Sequence, residues 1–393
     1  MKKIAAFLLV LVMTATAFTG CKKVDTATGT TAQSAASSGT IKIGIFEPLT
    51  GANAAGGEAE VEGVKIANKL YPTVLGKNVE LVVADNKSDK AQATTAAARL
   101  IEKDKVSAII GSWGSSLSMA AGELVKKNKV PAVGASCTNP LVTKGNDYYF
   151  RVCYLDPFQG TVMANYAYKS GARKAAIIQE VSNDYAVGLA TYFKEAFVKL
   201  TGDANSVVTT VNYNTNDQEF GAQLSTVKAA NPDVVFAPGN FTESALVMKQ
   251  ARQLGISVPF LGGDTWDIDE FTTVGGKDVE GATISTFFDD AAPVTNEGKK
   301  FVEAYKKEYP GKNMAAVTAL GYDAYLVIIK AIEAANSSEP TAIRDALAKT
   351  NGVEGATGVL KFTADGDADK NSAIIKEVKN GKFTYKDTVT VAK

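Results

Sequence analysis

Val106-Ser-Ala-Ile-Ile110-Gly-Ser-Trp-Gly-Ser115-Ser-Leu-Ser-Met-Ala120-Ala-Gly-Glu-Leu-Val125 changes its hydrophobic rhythm midway. Residues 106–110 form an apolar β-type run that ends in a glycine-broken turn. Leu117, Ala120, Ala121, Leu124 and Val125 then recur at helical spacing. Lys126, Lys127 and Lys129 close the pattern, where positive charge suits the carboxyl end of a helix dipole. A strand that turns straight into a helix is the unit of a parallel sheet. The front of this helix offers free N–H groups and the hydroxyls of Ser115 and Ser116. Such a turn serves as an N-cap or as a seat for a phosphate or carboxylate, and local sequence does not separate the two.

The same unit repeats to either side. Ile41–Phe46 alternates as a strand, a helix is predicted over 58–70, and Val79–Ala84 is the next strand, followed by an alanine-rich helix over 91–103. Val130–Val133 follows the opening stretch and leads into the loop Ala135-Ser136-Cys137-Thr138-Asn139-Pro140. After Tyr149–Val152 a second series begins: helix 157–169, strand 174–179, helix 187–200, strand 207–211, helix 218–230, strand 233–237, helix 243–254 and strand 258–261. Extended residues 281–288 precede helices over 297–308, 315–335 and 340–349, then strand-like segments at 358–362, 373–378 and 382–385. Strands alternating with helices of this length predict an α/β protein of two doubly wound parallel-sheet lobes. The change of rhythm near 153–157 divides them. Lobe one is assigned 41–155 plus 287–352, and lobe two 156–286 plus 353–393.

Composition narrows the chemistry. The chain has 393 residues, 46% of them hydrophobic, with 42 basic and 42 acidic residues and no histidine. Balanced charge gives no field that would favour nucleic acid. Without histidine there is no Ser-His or Cys-His nucleophile and no usual zinc ligand. No cofactor or metal is expected. Asp365-Gly-Asp367-Ala-Asp369 spaces its acids like a calcium loop but lacks the required glycine at the sixth position and glutamate at the twelfth, so a turn between strands is the better reading. Three cysteines, Cys21, Cys137 and Cys153, are too few for a disulfide framework.

Met1-Lys2-Lys3 followed by the apolar run 4–18 reads as an export signal, residues 1–20, too short to span a bilayer stably. It ends in Phe18-Thr19-Gly20-Cys21, which resembles a bacterial lipoprotein box with Cys21 as the lipidated residue. Residues 21–40 are rich in Ser, Thr, Ala and Gly and read as a flexible tether. The folded part is thus expected outside the cytoplasmic membrane, held near it by lipid.

Ligands of open α/β sheets bind beyond the carboxyl ends of the strands. Five polar segments fall there: Ser115/Ser116, Ser136/Thr138, Asn183-Asp184-Tyr185, Asn240-Phe241 and Asp264-Thr265-Trp266. The first two belong to lobe one and the rest to lobe two. Hydroxyls and N–H groups would then face aromatics and a carboxylate, a pattern complementary to a zwitterion. Tyr185 also suits a packing role, and Asp264 a turn or cap. Neither Trp113 nor Trp266 is assigned a contact.

The ordered set Pro48-Leu-Thr-Gly, Asp85-Asn86…Asp89, Gly111-Ser-Trp-Gly-Ser-Ser, Ser136-Cys-Thr138-Asn-Pro, Asp184-Tyr185-Ala-Val-Gly and Phe260-Leu-Gly-Gly-Asp264 resembles type I periplasmic binding proteins. In particular it resembles the substrate-binding lipoproteins of branched-chain amino acid ABC transporters, over residues 41–393. The resemblance implies a non-enzymatic, monomeric protein that captures an amino acid and delivers it to a membrane permease. It implies that Ser115 binds the ligand carboxylate, that Ser136 and Thr138 bind both charged groups, and that Tyr185 and Phe241 wall the pocket. Asp264 stands where the family has a glutamate for the ammonium. Ala55 replaces a frequent aromatic side wall, so the side-chain preference stays open between Leu/Ile/Val, other neutral or aromatic amino acids, and an amide. A sensory receptor of the same fold and a hydrolase pairing Asp184 with Asp264 are the alternatives.

Overall fold

The computed structural model describes residues 39–390. The export signal and Cys21 lie outside them, as does nearly all of the tether.

Lobe one is built on a six-stranded sheet. Its strands are β1 (Thr40–Glu47), β2 (Thr73–Val74), β3 (Lys77–Asp85), β4 (Ala108–Ile110), β5 (Ala132–Gly134) and β6 (Tyr149–Arg151), in the order β2-β3-β1-β4-β5-β6. All pairs are parallel except β2 with β3. Between the strands run α1 (Ala54–Leu70), α2 (Lys90–Ala98) and α3 (Ser115–Asn128). α1 starts four residues ahead of the predicted Glu58, because Gly56 and Gly57 sit inside it. These glycines lower helix propensity but are required for packing: a Cβ on Gly56 would lie 2.4 Å from the Trp113 ring.

Lobe two opens with α4 (Asp156–Lys169), then β7 (Ala175–Glu180), α5 (Asp184–Thr201), β8 (Val207–Tyr213), α6 (Gly221–Ala230), β9 (Val234–Phe236), α7 (Phe241–Gln253), β10 (Phe260–Gly262), α8 (Asp269–Gly275) and β11 (Thr283–Thr286). The chain then returns to lobe one with α9 (Asn296–Glu308), α10 (Ala316–Ala335) and α11 (Pro340–Leu347). A hairpin, β12 (Asn351–Gly355) with β13 (Gly358–Lys361), precedes β14 (Ser372–Lys379) and β15 (Lys382–Thr390). The second sheet has the order β15-β14-β11-β10-β9-β7-β8. Its core pairs are parallel, and β14 and β15 add an antiparallel edge.

The hairpin corrects the assignment of everything after 353 to lobe two. The buried Asp323 carboxylate of α10 accepts from the Thr357 N–H at 3.0 Å and also from Ala356. Phe362 packs on Phe150 with centroids 5.5 Å apart, and Asp367 pairs with Arg151 at 2.7 Å. Residues 351–368 therefore ride on lobe one, and lobe two regains the chain near β14. The cause is a buried carboxylate that needs donors, a demand that strand periodicity does not register.

α10 is apolar on nearly all sides and lies buried. It crosses α1 at small residues: a Cβ on Gly63 would meet the Thr318 carbonyl at 1.8 Å, and one on Gly321 the Glu60 carbonyl at 2.1 Å. This backbone-on-backbone contact fixes where Glu60 stands. Among the described residues, no helix is long and apolar enough to cross a membrane.

Candidate functional site

On the lobe-one side the turn after β4 is held from three directions. The Trp113 N–H donates to Glu47 at 2.5 Å, Tyr149 Oη donates to the Gly111 carbonyl at 2.5 Å, and the Ser112 N–H donates to Ser118 Oγ at 3.1 Å. Gly111 takes φ +126°, a conformation that favours glycine. The N-cap of α3 is Gly114, which has no side chain to cap with, so neither serine is the cap. Ser115, buried, instead accepts from the Asn139 N–H at 3.1 Å, leaving its own proton to donate elsewhere. Ser116 turns to the other lobe.

The loop 136–140 is fastened from below by Arg151, which is fully buried. Its guanidinium donates to the carbonyls of Cys137 at 2.5 Å and Asn139 at 2.7 Å, and to Thr143 Oγ1 at 2.6 Å, while pairing with Asp367. Ser136 donates its hydroxyl to Glu60. Thr138 is completely buried and its Oγ1 has no partner. Cys137 and Cys153 are free, buried thiols.

On the lobe-two side Asp264 follows β10 and is 1% exposed. Tyr185 Oη donates to its Oδ1 at 3.0 Å, and Gln159 Nε2 donates to the same oxygen at 2.8 Å. Gly263 permits this: a Cβ there would fall 2.1 Å from the tyrosine hydroxyl. Phe241, the first residue of α7, is buried and meets Trp113 of lobe one edge-on, with centroids 6.4 Å apart and planes at 67°. The six residues read from the sequence thus gather at the meeting of the two lobes, with Tyr185 joined to Asp264 as well as serving as an aromatic.

Sequence reasoning missed four polar groups here. Glu60 lies inside α1, while Asp156 and Gln159 lie in the first turn of α4, and Trp113 in the opening turn. Both oxygens of Asp156, Oε2 of Glu60, Oε1 of Gln159 and the Trp113 indole N–H are buried without partners. Burial raises the Glu60 and Asp156 carboxyls to about 8 each, and that of Asp264 to about 6, where donation by Gln159 and Tyr185 holds it lower. The available signal was a glutamate on the otherwise apolar, buried face of α1 and an Asp-x-x-Gln at a helix start.

Trp266 is not at the cleft; it stacks on Phe271 inside lobe two. Of the acids near it, Asp267 pairs with Lys376 at 3.1 Å, and Asp269 and Glu270 begin α8. Asp184 is held by Lys90 at 2.9 Å and Ser116 at 2.7 Å, whereas Asp264 is held by Gln159 and Tyr185. A cavity of about 920 Å³ opens between α1 and α8 and is lined by none of the six residues. No group of three or more metal-type side chains is found among the described residues.

Two α/β lobes meeting on a buried, polar seam define a solute-binding protein of the hinged kind. A family model described as periplasmic binding protein matches residues 40–382. The chain superposes on a leucine-binding protein of Thermotoga maritima with a TM-score of 0.86 and 42% identity, covering 89% of this chain and 99% of that one. It superposes on a branched-chain amino acid substrate-binding protein of Streptococcus pneumoniae, solved with isoleucine, at a TM-score of 0.82 and 31% identity, covering 90% and 99%. A Leu/Ile/Val-binding protein homolog of Brucella melitensis is 29% identical over 87% of this chain and 92% of its own. The chain belongs to the periplasmic binding protein family, whose members bind solutes for ABC transporters.

Proposed function

We propose that the protein captures an α-amino acid between its lobes and passes it to an ABC permease. The observation that carries this reading is Asp264: a carboxylate 1% exposed whose hydrogen-bond partners, Gln159 and Tyr185, are both neutral. A buried charge with only neutral partners costs several kcal/mol, about the amount an arriving ammonium would relieve. Opposite it, the Ser115 proton, the Thr138 hydroxyl and the first-turn N–H groups of α3 suit the ligand carboxylate. The Ser136 hydroxyl is committed to Glu60, so Ser136 offers the ligand a lone pair rather than a proton. Trp113 and Phe241 bound the side-chain space. A neutral, branched-chain-type ligand agrees with the named specificities of the relatives. Lipidation at Cys21 would hold a monomeric binding domain, lobes 41–155 with 287–368 and 156–286 with 372–393, at the outer face of the membrane.

The test is mass spectrometry of small molecules released from natively purified protein, followed by thermal-shift titration with single amino acids. Stabilisation by a neutral amino acid, lost when its ammonium or carboxylate is blocked, is the expected result. Stabilisation that survives blocking either group would overturn the reading.

A further inference from the structure

One contact set between the lobes lies outside the amino-acid site. Asp184, the first residue of α5 in lobe two, reaches three lobe-one groups. Its Oδ2 accepts from Ser116 Oγ at 2.7 Å and from Lys90 Nζ at 2.9 Å, and its carbonyl accepts from Asn139 Nδ2 at 2.8 Å. Its own N–H donates back to Ser116 Oγ at 3.0 Å. α5 comes this close because residue 188 is glycine: a Cβ there would lie 2.8 Å from Asn139 Nδ2. The Lys90 and Asp184 side chains are 54% and 46% exposed, so the cluster sits at the lip of the cleft, not within it.

Neighbouring residues divide the work on both lobes. Ser115 is buried against the loop at Asn139, while Ser116 crosses to Asp184. Tyr185 turns to Asp264, while Asp184 crosses to Ser116. The geometry that aligns the two halves of the clamp is thus the geometry that joins this cluster.

We infer that Asp184, with Ser116, Lys90 and Asn139, is a latch that stabilises the closed form of the protein, and so sets the affinity for every ligand without setting selectivity. Its hydrogen bonds exist only when the lobes meet, so removing them lowers the closed population, and apparent affinity falls by that same factor. Loss of a charge-assisted pair predicts a fall of about tenfold in Asp184→Ala. The exposed Lys90 arm contributes less, about twofold in Lys90→Met, and only at low salt. This inference rests on the amino-acid reading for its affinity arm alone.

The experiment uses the full chain with one dye on each lobe, reporting closure by energy transfer, alongside calorimetry with a series of neutral amino acids. Asp184→Ala should lower the closed fraction of the ligand-free protein and weaken every amino acid by one common factor; Ser116→Ala, which keeps the helix start intact, should do the same to a smaller degree. Unchanged closure in both variants overturns the latch, whatever the ligand proves to be. A loss that differs from one amino acid to another overturns it too, since Asp184 would then touch the ligand. Should Asp184→Ala not fold, Ser116→Ala and Lys90→Met decide on the same two readouts.

Discussion

Replacing Asp264 by asparagine should move binding and stability in opposite directions. The carboxyl is buried and raised to about 6, mainly by desolvation. An unfolded aspartate titrates near 3.9, about two units lower, and each unit corresponds to about 1.4 kcal/mol. A raised acid destabilises the fold when ionised: its contribution is neutral below about pH 4 and is lost progressively as pH rises through about 6. At pH 8 the unliganded protein therefore carries a penalty of about 3 kcal/mol at this residue. Asp264→Asn removes the charge but keeps an oxygen to accept from Gln159 and Tyr185. If half of the penalty is recovered, the unfolding midpoint at pH 8 rises by roughly 2 °C for a chain of this size. Binding changes the other way. Truncating one partner of a buried, hydrogen-bonded charge pair costs about 2–5 kcal/mol, or roughly 30- to 4,000-fold in affinity. Calorimetry and thermal scans at pH 5 and pH 8 measure both. An affinity within threefold of the parent, or a lowered midpoint at pH 8, would refute the reasoning.

Four other outcomes are expected. Amino-acid affinity should fall about tenfold per pH unit below about 6, because the ammonium and a proton compete for Asp264; a flat profile between pH 4.5 and 7 in calorimetry would contradict this. Ser115→Ala should weaken binding more than tenfold and also lower stability by about 1–3 kcal/mol, since the buried Asn139 N–H loses its acceptor; urea unfolding and titration read the two effects separately. Arg151→Leu should cost about 3–5 kcal/mol by leaving the Asp367 charge with only the Thr143 hydroxyl and the Cys137 carbonyl without its donor, with faster hydrogen exchange over 137–143 as the local sign. Gly56→Ala should displace the Trp113 ring, costing about 1–3 kcal/mol and changing which amino acids bind, as thermal-shift rank order will show.

The lobes were readable because each strand–helix alternation is a local pattern, and the loops at strand ends follow from topology. Topology alone brings Ser115, Ser136, Thr138, Tyr185, Phe241 and Asp264 to strand ends. What stayed hidden depends on pairs far apart in the chain. Glu60 matters because α1 and α10 touch through Gly63 and Gly321, a contact spanning some 260 residues that leaves no periodic trace. Gln159 reads as one more polar residue at a helix start until Asp264 is set 2.8 Å away. The serine pair was ambiguous for a different reason: cap and site demand the same residue types, and only Gly114 in the cap position separates them. The hairpin after 350 was assigned to the wrong lobe because Asp323, deep in an apolar helix, gives no hint of where its donors come from.

Charge balance ties these residues into one mechanism. A buried cleft that receives a zwitterion must itself stay close to neutral, because like charges repel strongly at low dielectric. Glu60, Asp156 and Asp264 would together carry three negative charges if all ionised. Burial prevents that: at neutral pH Glu60 and Asp156, raised to about 8, keep their protons, and Asp264, near 6, gives its proton up. On the proposed reading, the single anion would meet the ammonium, and the protonated Asp156, whose oxygens have no protein partner, would offer a donor to the ligand carboxylate. Donation by Gln159 and Tyr185 brings Asp264 below where burial alone would hold it. A site described from the sequence as one carboxylate facing hydroxyls thus holds further buried carboxyls, Glu60 and Asp156, whose protons burial retains at neutral pH.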